Sequence, residues 1–263
     1  MRGFISLWSP PHGQISLLVS SLAATALGCA GAPNGATTSP ASADTDLGTA
    51  TSVRPGINES YLDATEKDME DWEERLEGES REVVQSREAL LSLLGLDGGE
   101  VVADVGAGTG LFAGQLSDLV GDTGRVYAVD IAPQFLAHVR GKMAESGRSN
   151  LIFHLAGAKD IGLAPDARLD VAFMCNVYHH IEYPGAYMPT LGAAMKPDGV
   201  LWVIDFKRIE GVTDPGILRH VRANQEQVTA EITAAGFVLE ESVDLLEENY
   251  VLKFRWPAAS SVR

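Results

Sequence analysis

The chain has 263 residues, 45% of them hydrophobic and 21% charged, an ordinary globular composition that is enough to bury one sizeable core. Its formal net charge is −16. An acidic excess of that size repels phosphate backbones and argues against nucleic acid as a partner.

The first 56 residues carry only Arg2, Asp44, Asp46 and Arg54 as charges and are rich in Ala, Ser, Gly, Thr and Pro, so they are set outside the fold. Those four charges cancel, and the whole net charge therefore lies after residue 56. Ile15 to Leu27 is an apolar run bounded by Arg2 and His12 on one side and Gly28-Cys29 on the other, the layout of a signal peptide. At about 13 residues it is short for a bilayer span. Leu27-Gly28-Cys29 resembles the bacterial lipoprotein processing site, although Ala26 stands where a larger aliphatic residue is usual. Residues 1–29 are expected to be a signal or lipoprotein-like segment, with a membrane tether through a lipidated Cys29. Residues 30–56 are then a flexible tether, and residues 57–263 the folded domain. The expected location is exported, periplasmic or membrane-anchored; a cytoplasmic enzyme with an N-terminal extension is the alternative.

From Ala64 to Leu94, Met69, Trp72, Leu76, Val83, Val84, Leu90, Leu91 and Leu94 recur at helical spacing among charges. This predicts one or two amphipathic helices with a break at Gly78. Half of the acidic excess sits in residues 57–95, which hold twelve acidic and four basic side chains and read as a solvated helix face.

Leu96-Asp97-Gly98-Gly99 signals a turn, and beyond it strand-like and helix-like stretches alternate in the manner of βαβ units. Strands are expected near 101–105, 125–130, 150–154, 170–175, 199–206, 236–243 and 249–255, with helices near 110–119, 133–146, 185–195 and 224–235. The fold class is α/β: a Rossmann-like, seven-stranded, mostly parallel sheet with helices on both faces. The last two strands are joined by a turn around Leu246-Glu247-Glu248-Asn249 that is too brief for a crossover helix, so the terminal strand runs antiparallel. Of the two cysteines, Cys175 follows Ala172-Phe173-Met174 in a buried strand and reads as a packed thiol. With Cys29 lipidated or removed, no structural disulfide remains.

Gly106-Ala107-Gly108-Thr109-Gly110 sits where a buried strand ends and a helix begins, so the backbone can turn tightly and approach a ligand. A dinucleotide fingerprint wants a third glycine at the sixth position, which is Leu111, and no Gly-Lys-Ser/Thr follows for a phosphate loop. The pattern favours a ligand without a pyrophosphate. Asp130, at the end of Val126-Tyr127-Ala128-Val129, is a carboxylate able to accept both hydroxyls of a ribose, which fits NAD as well as S-adenosylmethionine (SAM).

Asp104-Val105-Gly106-Ala107-Gly108-Thr109-Gly110 resembles the first motif of class I SAM-dependent methyltransferases, and Ala128-Val129-Asp130-Ile131 their second. Leu191 to Leu201, with Lys196-Pro197-Asp198-Gly199, is similar to the helix, turn and fifth strand of the same family. The subgroup resembled is the type 11, ubiquinone/menaquinone-biosynthesis-like methyltransferases. The resemblance implies that Gly106, Ala107, Gly108 and Gly110 lie under the methionine part of SAM, with Asp104 orienting the loop or the amino group. It implies that Asp130 holds the ribose, Ile131 packs on the adenine and Asn176 joins the cofactor site. The family's acidic residue after the third strand is missing from Ala156-Gly157-Ala158-Lys159-Asp160, so either Asp160 or a backbone carbonyl serves the adenine amino group. Tyr61, Trp72 and the acidic helix are expected to form a lid, with core packing the competing account of Trp72.

Asn176-Val177-Tyr178-His179-His180 follows the fourth strand, where ligands of open α/β sheets bind, and in the resembled family faces the transferable methyl. Adjacent histidines point in different directions, so at most one of them is expected to face the site. Either His179 or His180 is the expected base, with Tyr178 shaping the pocket; a structural histidine is the competing account. His220 and Arg222 fit either a polar acceptor or a charged surface. A metal site from His179, His180, His220 and Asp205 matches no standard zinc spacing, and no metal is expected. The function expected is methyl transfer from SAM to a small-molecule acceptor. A non-catalytic SAM-binding module of the cell envelope is the alternative, and a nicotinamide oxidoreductase is disfavoured by Leu111.

Overall fold

A computed structural model of the protein describes residues 51–78 and 81–258. The expected signal segment, Cys29 and the tether up to residue 50 lie outside the described residues. Among the described residues no helix is long and apolar enough to cross a membrane.

Residues 52–54, at the end of the expected tether, are held on the domain. Ser52 Oγ donates to Glu182 Oε2 at 2.8 Å, the Val53 N–H to the Glu182 carbonyl at 2.8 Å, and Arg54 to the Arg219 carbonyl at 2.7 Å. Short helices follow: α1 (Glu59–Leu62), α2 (Met69–Glu77), α3 (Glu82–Gln85) and α4 (Arg87–Leu93). The expected one or two helices are thus several, and α2 stops at Gly78. What holds them is their apolar face: Met69 and Trp72 pack with Phe135, while Val83, Val84, Leu90 and Leu91 join the core beneath the sheet.

The alternating part runs β1 (Val101–Val105), α5 (Ala113–Val120), β2 (Arg125–Asp130), α6 (Pro133–Met143), β3 (Leu151–Leu155), β4 (Leu169–Cys175), α7 (Pro184–Ala194) and β5 (Met195–Phe206). It closes with α8 (Pro215–His220), α9 (Gln225–Ala234), β6 (Val238–Val243) and β7 (Asn249–Arg255). The sheet order is β3-β2-β1-β4-β5-β7-β6. The pairs β1/β2, β1/β4, β2/β3 and β4/β5 are parallel, and β7 is antiparallel to both β5 and β6. This is the Rossmann-like methyltransferase fold, with the last strand antiparallel as the short turn requires.

Central strands are buried on both faces, which is why they read as unbroken apolar runs, whereas β6 is exposed almost throughout and reads Leu-Glu-Glu-Ser. Three boundaries differ from the sequence reading. The helix after the glycine loop begins at Ala113 because Gly108 to Phe112 form the loop itself. The Lys196–Gly199 turn belongs to β5, where Asp198 takes a left-handed φ of 65° and its N–H donates to the Trp256 carbonyl at 2.8 Å. And α8 lies within what reads as a covering loop; Asp214 caps it by accepting from the Gly216 and Ile217 N–H groups.

Candidate active site

Strands β1, β2 and β4 end side by side, and their carboxyl ends open into a cleft of about 1100 Å³, its mouth included. At the end of β1, Gly106 and Gly110 have φ of 74° and 91°, a region open chiefly to glycine. A Cβ on Gly106 would overlap both Cγ atoms of Val177, and one on Gly110 would lie 2.9 Å from Val139 Cγ1. The loop is bound to β2: the Gly106 and Ala107 N–H groups both donate to the Val129 carbonyl, at 2.7 and 2.9 Å. Asp130 ties loop and α6 together, its Oδ2 accepting from the Gly108 N–H and its Oδ1 from the Ala132 N–H, each at 2.9 Å. Burial raises its pKa against these backbone donors. Each carboxylate oxygen keeps lone-pair capacity for a ligand.

Asp104 is only 3% exposed and lines the same cleft. Its Oδ2 has no hydrogen-bond partner, and burial, then the neighbouring Asp130 charge, push its carboxyl up to about 7. Asn176, in a left-handed conformation (φ 55°), has both Oδ1 and Nδ2 buried without partners. Buried polar atoms without a protein partner are open to pairing by a ligand or by ordered water. Across the cleft stands Arg81, a residue the sequence reading missed, whose guanidinium pKa is lowered by burial. Nothing in its local sequence marks it, since it precedes a four-residue helix and reads as one more surface charge.

Beyond Asp130, Ile131, Phe135 and Ala156-Gly157-Ala158 form the wall of the cleft. Asp160 is exposed, does not line the cleft, and its Oδ1 accepts from the Gly162 N–H at 2.6 Å within a turn. Tyr61 lines the other side and stacks on Trp72 with centroids 4.6 Å apart. Trp72 packs behind Tyr61 against Phe135 at 5.6 Å in a small buried core and does not line the cleft, which is the core-packing account of this residue.

The segment after β4 forms a 3-10 turn, Tyr178–His180, which sends its three side chains apart. Tyr178 does not shape the cleft. Its ring is fully buried in the core on the far side, and its hydroxyl donates to Glu231 Oε2 at 3.1 Å. His179, 2% exposed, also stands off the cleft wall and addresses Asp205: its N–H donates to Oδ2 at 3.0 Å and Nδ1 lies 2.7 Å from Oδ1. His180 does line the cleft, edge-on to Tyr61 at 4.8 Å. Burial, then the nearby His179 and His220, lower its pKa to about 2, so it is a weak base. Its Nε2 lies 3.3 Å from His220 Nε2, and its Nδ1 is buried without a partner. Arg222 pairs with Glu231 beneath the turn at 2.8 Å and is directed away from the cleft. Cys175 is a free thiol whose pKa burial raises well above its usual range.

Residues 102–199 match the family model described as a methyltransferase domain. A ubiquinone/menaquinone biosynthesis C-methyltransferase of Pseudomonas putida is 29% identical over 119 residues, 45% of this chain and 46% of the relative. The chain thus spans about half the length of the curated relatives it matches. Among solved structures, a SAM-dependent methyltransferase from Aquifex aeolicus superposes with a TM-score of 0.63 and 24% identity over 73% of this chain and 98% of that one. The [4+2]-cyclase SpnF superposes with a TM-score of 0.56 and 19% identity over 68% and 84%. One fold carrying two chemistries means that the activity has to be argued from the site.

Proposed function

We propose that this chain is a SAM-dependent methyltransferase acting on a small-molecule acceptor. The observation that carries the reading is the unpartnered carboxylate oxygen of Asp104 in the same cleft as Asp130, Asn176 and Arg81. An amino-acid ammonium supplies the cation Asp104 is missing, and its carboxylate supplies the anion for Arg81. Asp130 accepts the two ribose hydroxyls on the lone pairs that Gly108 and Ala132 leave open. Asn176 donates from Nδ2 and accepts at Oδ1. Ile131 and Phe135 cover the adenine faces, while the 156–158 backbone pairs its edge. A dinucleotide fits poorly, because Leu111 occupies the position where the dinucleotide fingerprint places its third glycine, the one that lets helix and strand pack closely.

SAM supplies a methyl group already made electrophilic by its sulfonium. The protein's share is alignment of the acceptor, exclusion of water and, for an acidic acceptor, acceptance of a proton. Tyr61, His180 and Ile181 border the space left for the acceptor, and Asn58, Leu76, Arg81 and Val83, on or beside α1 to α3, line the cleft where a lid would stand. A lidded cleft on a strongly acidic chain suits a small molecule better than a nucleic acid. Calorimetric titration with SAM and its demethylated product tests the reading; folded protein that binds neither overturns it.

We also propose export, on the apolar run Ile15–Leu27 ahead of Cys29. Mass spectrometry of the mature N-terminus decides it, an intact Met1 or Arg2 counting against.

A further inference from the structure

We propose that His179, His180 and His220 form a binding site for one divalent transition-metal ion of the zinc type, with Asp205 as the positioning partner of His179. Two residues adjacent in sequence and a third forty positions on bring their rings together at centroid distances of 4.2, 5.0 and 5.1 Å. Each offers one ring nitrogen, and the three offered atoms lie within 4.8 Å of one another.

The spacing of one pair is already that of a metal site. Ligands about 2.0–2.1 Å from a tetrahedral zinc ion are separated by roughly 3.3–3.4 Å along the tetrahedron's edge. His180 Nε2 and His220 Nε2 lie 3.3 Å apart. The offered nitrogens lie up to 4.8 Å apart, so the wider edges close by up to about 1.5 Å when an ion binds, around a His179 ring held by Asp205.

The protonation states also suit ligands. A carboxylate only accepts, so Asp205 Oδ1, 2.7 Å from His179 Nδ1, places the proton on that nitrogen and leaves Nε2 to offer its lone pair. This carboxylate–histidine arrangement is how metal-bound imidazoles are commonly oriented and made more basic. Asp205 is itself fixed by the His179 and Phe206 N–H groups, at 3.0 and 2.8 Å.

His220 is carried to this point by a braced segment. It ends α8, whose carbonyls at Leu218 and Arg219 accept from Arg208 at 2.9 Å and from Arg54 at 2.7 Å. Thr213 Oγ1 donates to the Lys207 carbonyl at 2.7 Å and closes the loop before α8. Three neutral nitrogen donors suit Zn²⁺ and its first-row neighbours, whereas Mg²⁺ and Ca²⁺ demand oxygens. Three protein ligands leave a coordination position open, as catalytic zinc sites do. Because His180 borders the cleft assigned to methyl transfer, an ion held there would offer its open position to an acceptor hydroxyl or thiol and lower that group's pKa. This role rests on the methyltransferase reading; metal binding does not.

The test uses the full chain, stripped with a chelator and dialysed. Zn²⁺ uptake is measured by calorimetry against a competing chelator, Co²⁺ uptake by its visible d–d absorption, and SAM binding separately on the same sample. The expected result is one ion per chain, with intense low-coordinate Co²⁺ bands. His220→Ala is expected to weaken metal binding about 100-fold or more while leaving SAM affinity within about threefold. Asp205→Asn, which keeps the shape of the partner, is expected to weaken it about 10- to 100-fold and to shift the Co²⁺ bands, effects a purely structural aspartate would not cause. Wild-type protein that binds SAM but takes up neither ion overturns the proposal, as does equal metal affinity in wild type and His220→Ala. Metal uptake without SAM binding supports the site and overturns the methyltransferase reading instead.

Discussion

Asp130 and Gly108 are joined by a 2.9 Å hydrogen bond from the Gly108 N–H to the Asp130 carboxylate, so the residue assigned to the ribose also holds the loop assigned to the methionine end. One substitution therefore disturbs both halves of the cofactor site. Asp130→Ala removes two backbone hydrogen bonds and two expected ribose bonds. Hydrogen bonds to a charged group are worth about 1.5–3 kcal/mol each, so SAM affinity should fall by about 100-fold or more. Calorimetry checks this, and a change under about threefold would remove Asp130 from the site.

Gly106 approaches Val177 so closely that the glycine is a packing requirement as well as a turn. A Cβ there would stand 2.6 Å from Val177 Cγ1 and closer still to Cγ2, at a φ of 74°. Gly106→Ala should cost about 2–4 kcal/mol from overpacking and backbone strain together. Adding Val177→Ala removes both clashing carbons and should return part of that loss. A double-mutant cycle of thermal melts measures the coupling, and purely additive losses would place the strain elsewhere.

Much of this arrangement is legible in the sequence because it is local. β2 and β7 coincide with apolar runs that end at a charge, and the glycines of 106–110 sit where a strand meets a helix. What the sequence conceals is proximity across distance. His220 lies forty residues from His180 on a six-residue helix inside a Gly- and Pro-containing loop, and no periodicity marks so short an element. Tyr178 was unreadable for a different reason: in a 3-10 turn consecutive side chains diverge, so the neighbour of a cleft residue can enter the core. Arg81 lacks any local signature, because its place in the cleft beside Asp104 and Gly106 comes from tertiary packing.

Asp104 should make cofactor binding pH-dependent. With its carboxyl pushed up to about 7, the ligand-free protein holds a proton there that the unfolded chain, with a pKa near 3.8, releases. The folded state therefore binds more protons between those values. Stability from this group is full below about pH 4 and is lost as pH rises towards 7, by up to about 4 kcal/mol. Binding runs the other way, since an ammonium group pairs with the ionised carboxylate. About a tenth of the protein is ionised at Asp104 at pH 6 and about nine-tenths at pH 8, while the ligand's α-amino group loses about half its protons by pH 8, so SAM should bind about fourfold more tightly at pH 8 than at pH 6. Asp104→Asn should flatten that profile. A wild-type profile as flat as the variant's would detach Asp104 from the ligand's amino group.

Glu82 links the lid to the far side of the sheet. Its Oε2 accepts from the Glu248 N–H at 3.0 Å and from the Asn249 N–H and Nδ2 at 3.1 and 2.9 Å, while Oε1 accepts from the Glu247 N–H. The same four-residue helix, with Arg81 just ahead of it, places Val83 and Arg81 against the cleft. Glu82→Ala should therefore act at a distance, unseating α3 from the β6–β7 turn and loosening one wall of the cofactor site. Several charge-assisted bonds are lost at a partly exposed position, so a stability loss of about 1–3 kcal/mol is expected. If Arg81 grips the cofactor's carboxylate only while α3 is seated, SAM affinity should fall as well. Arg81→Ala measured alone and in combination with Glu82→Ala separates the two effects. A combined loss of affinity no greater than that of Arg81→Ala means that Glu82 acts through Arg81, whereas fully additive losses would mean that α3 contributes to the cleft by another route.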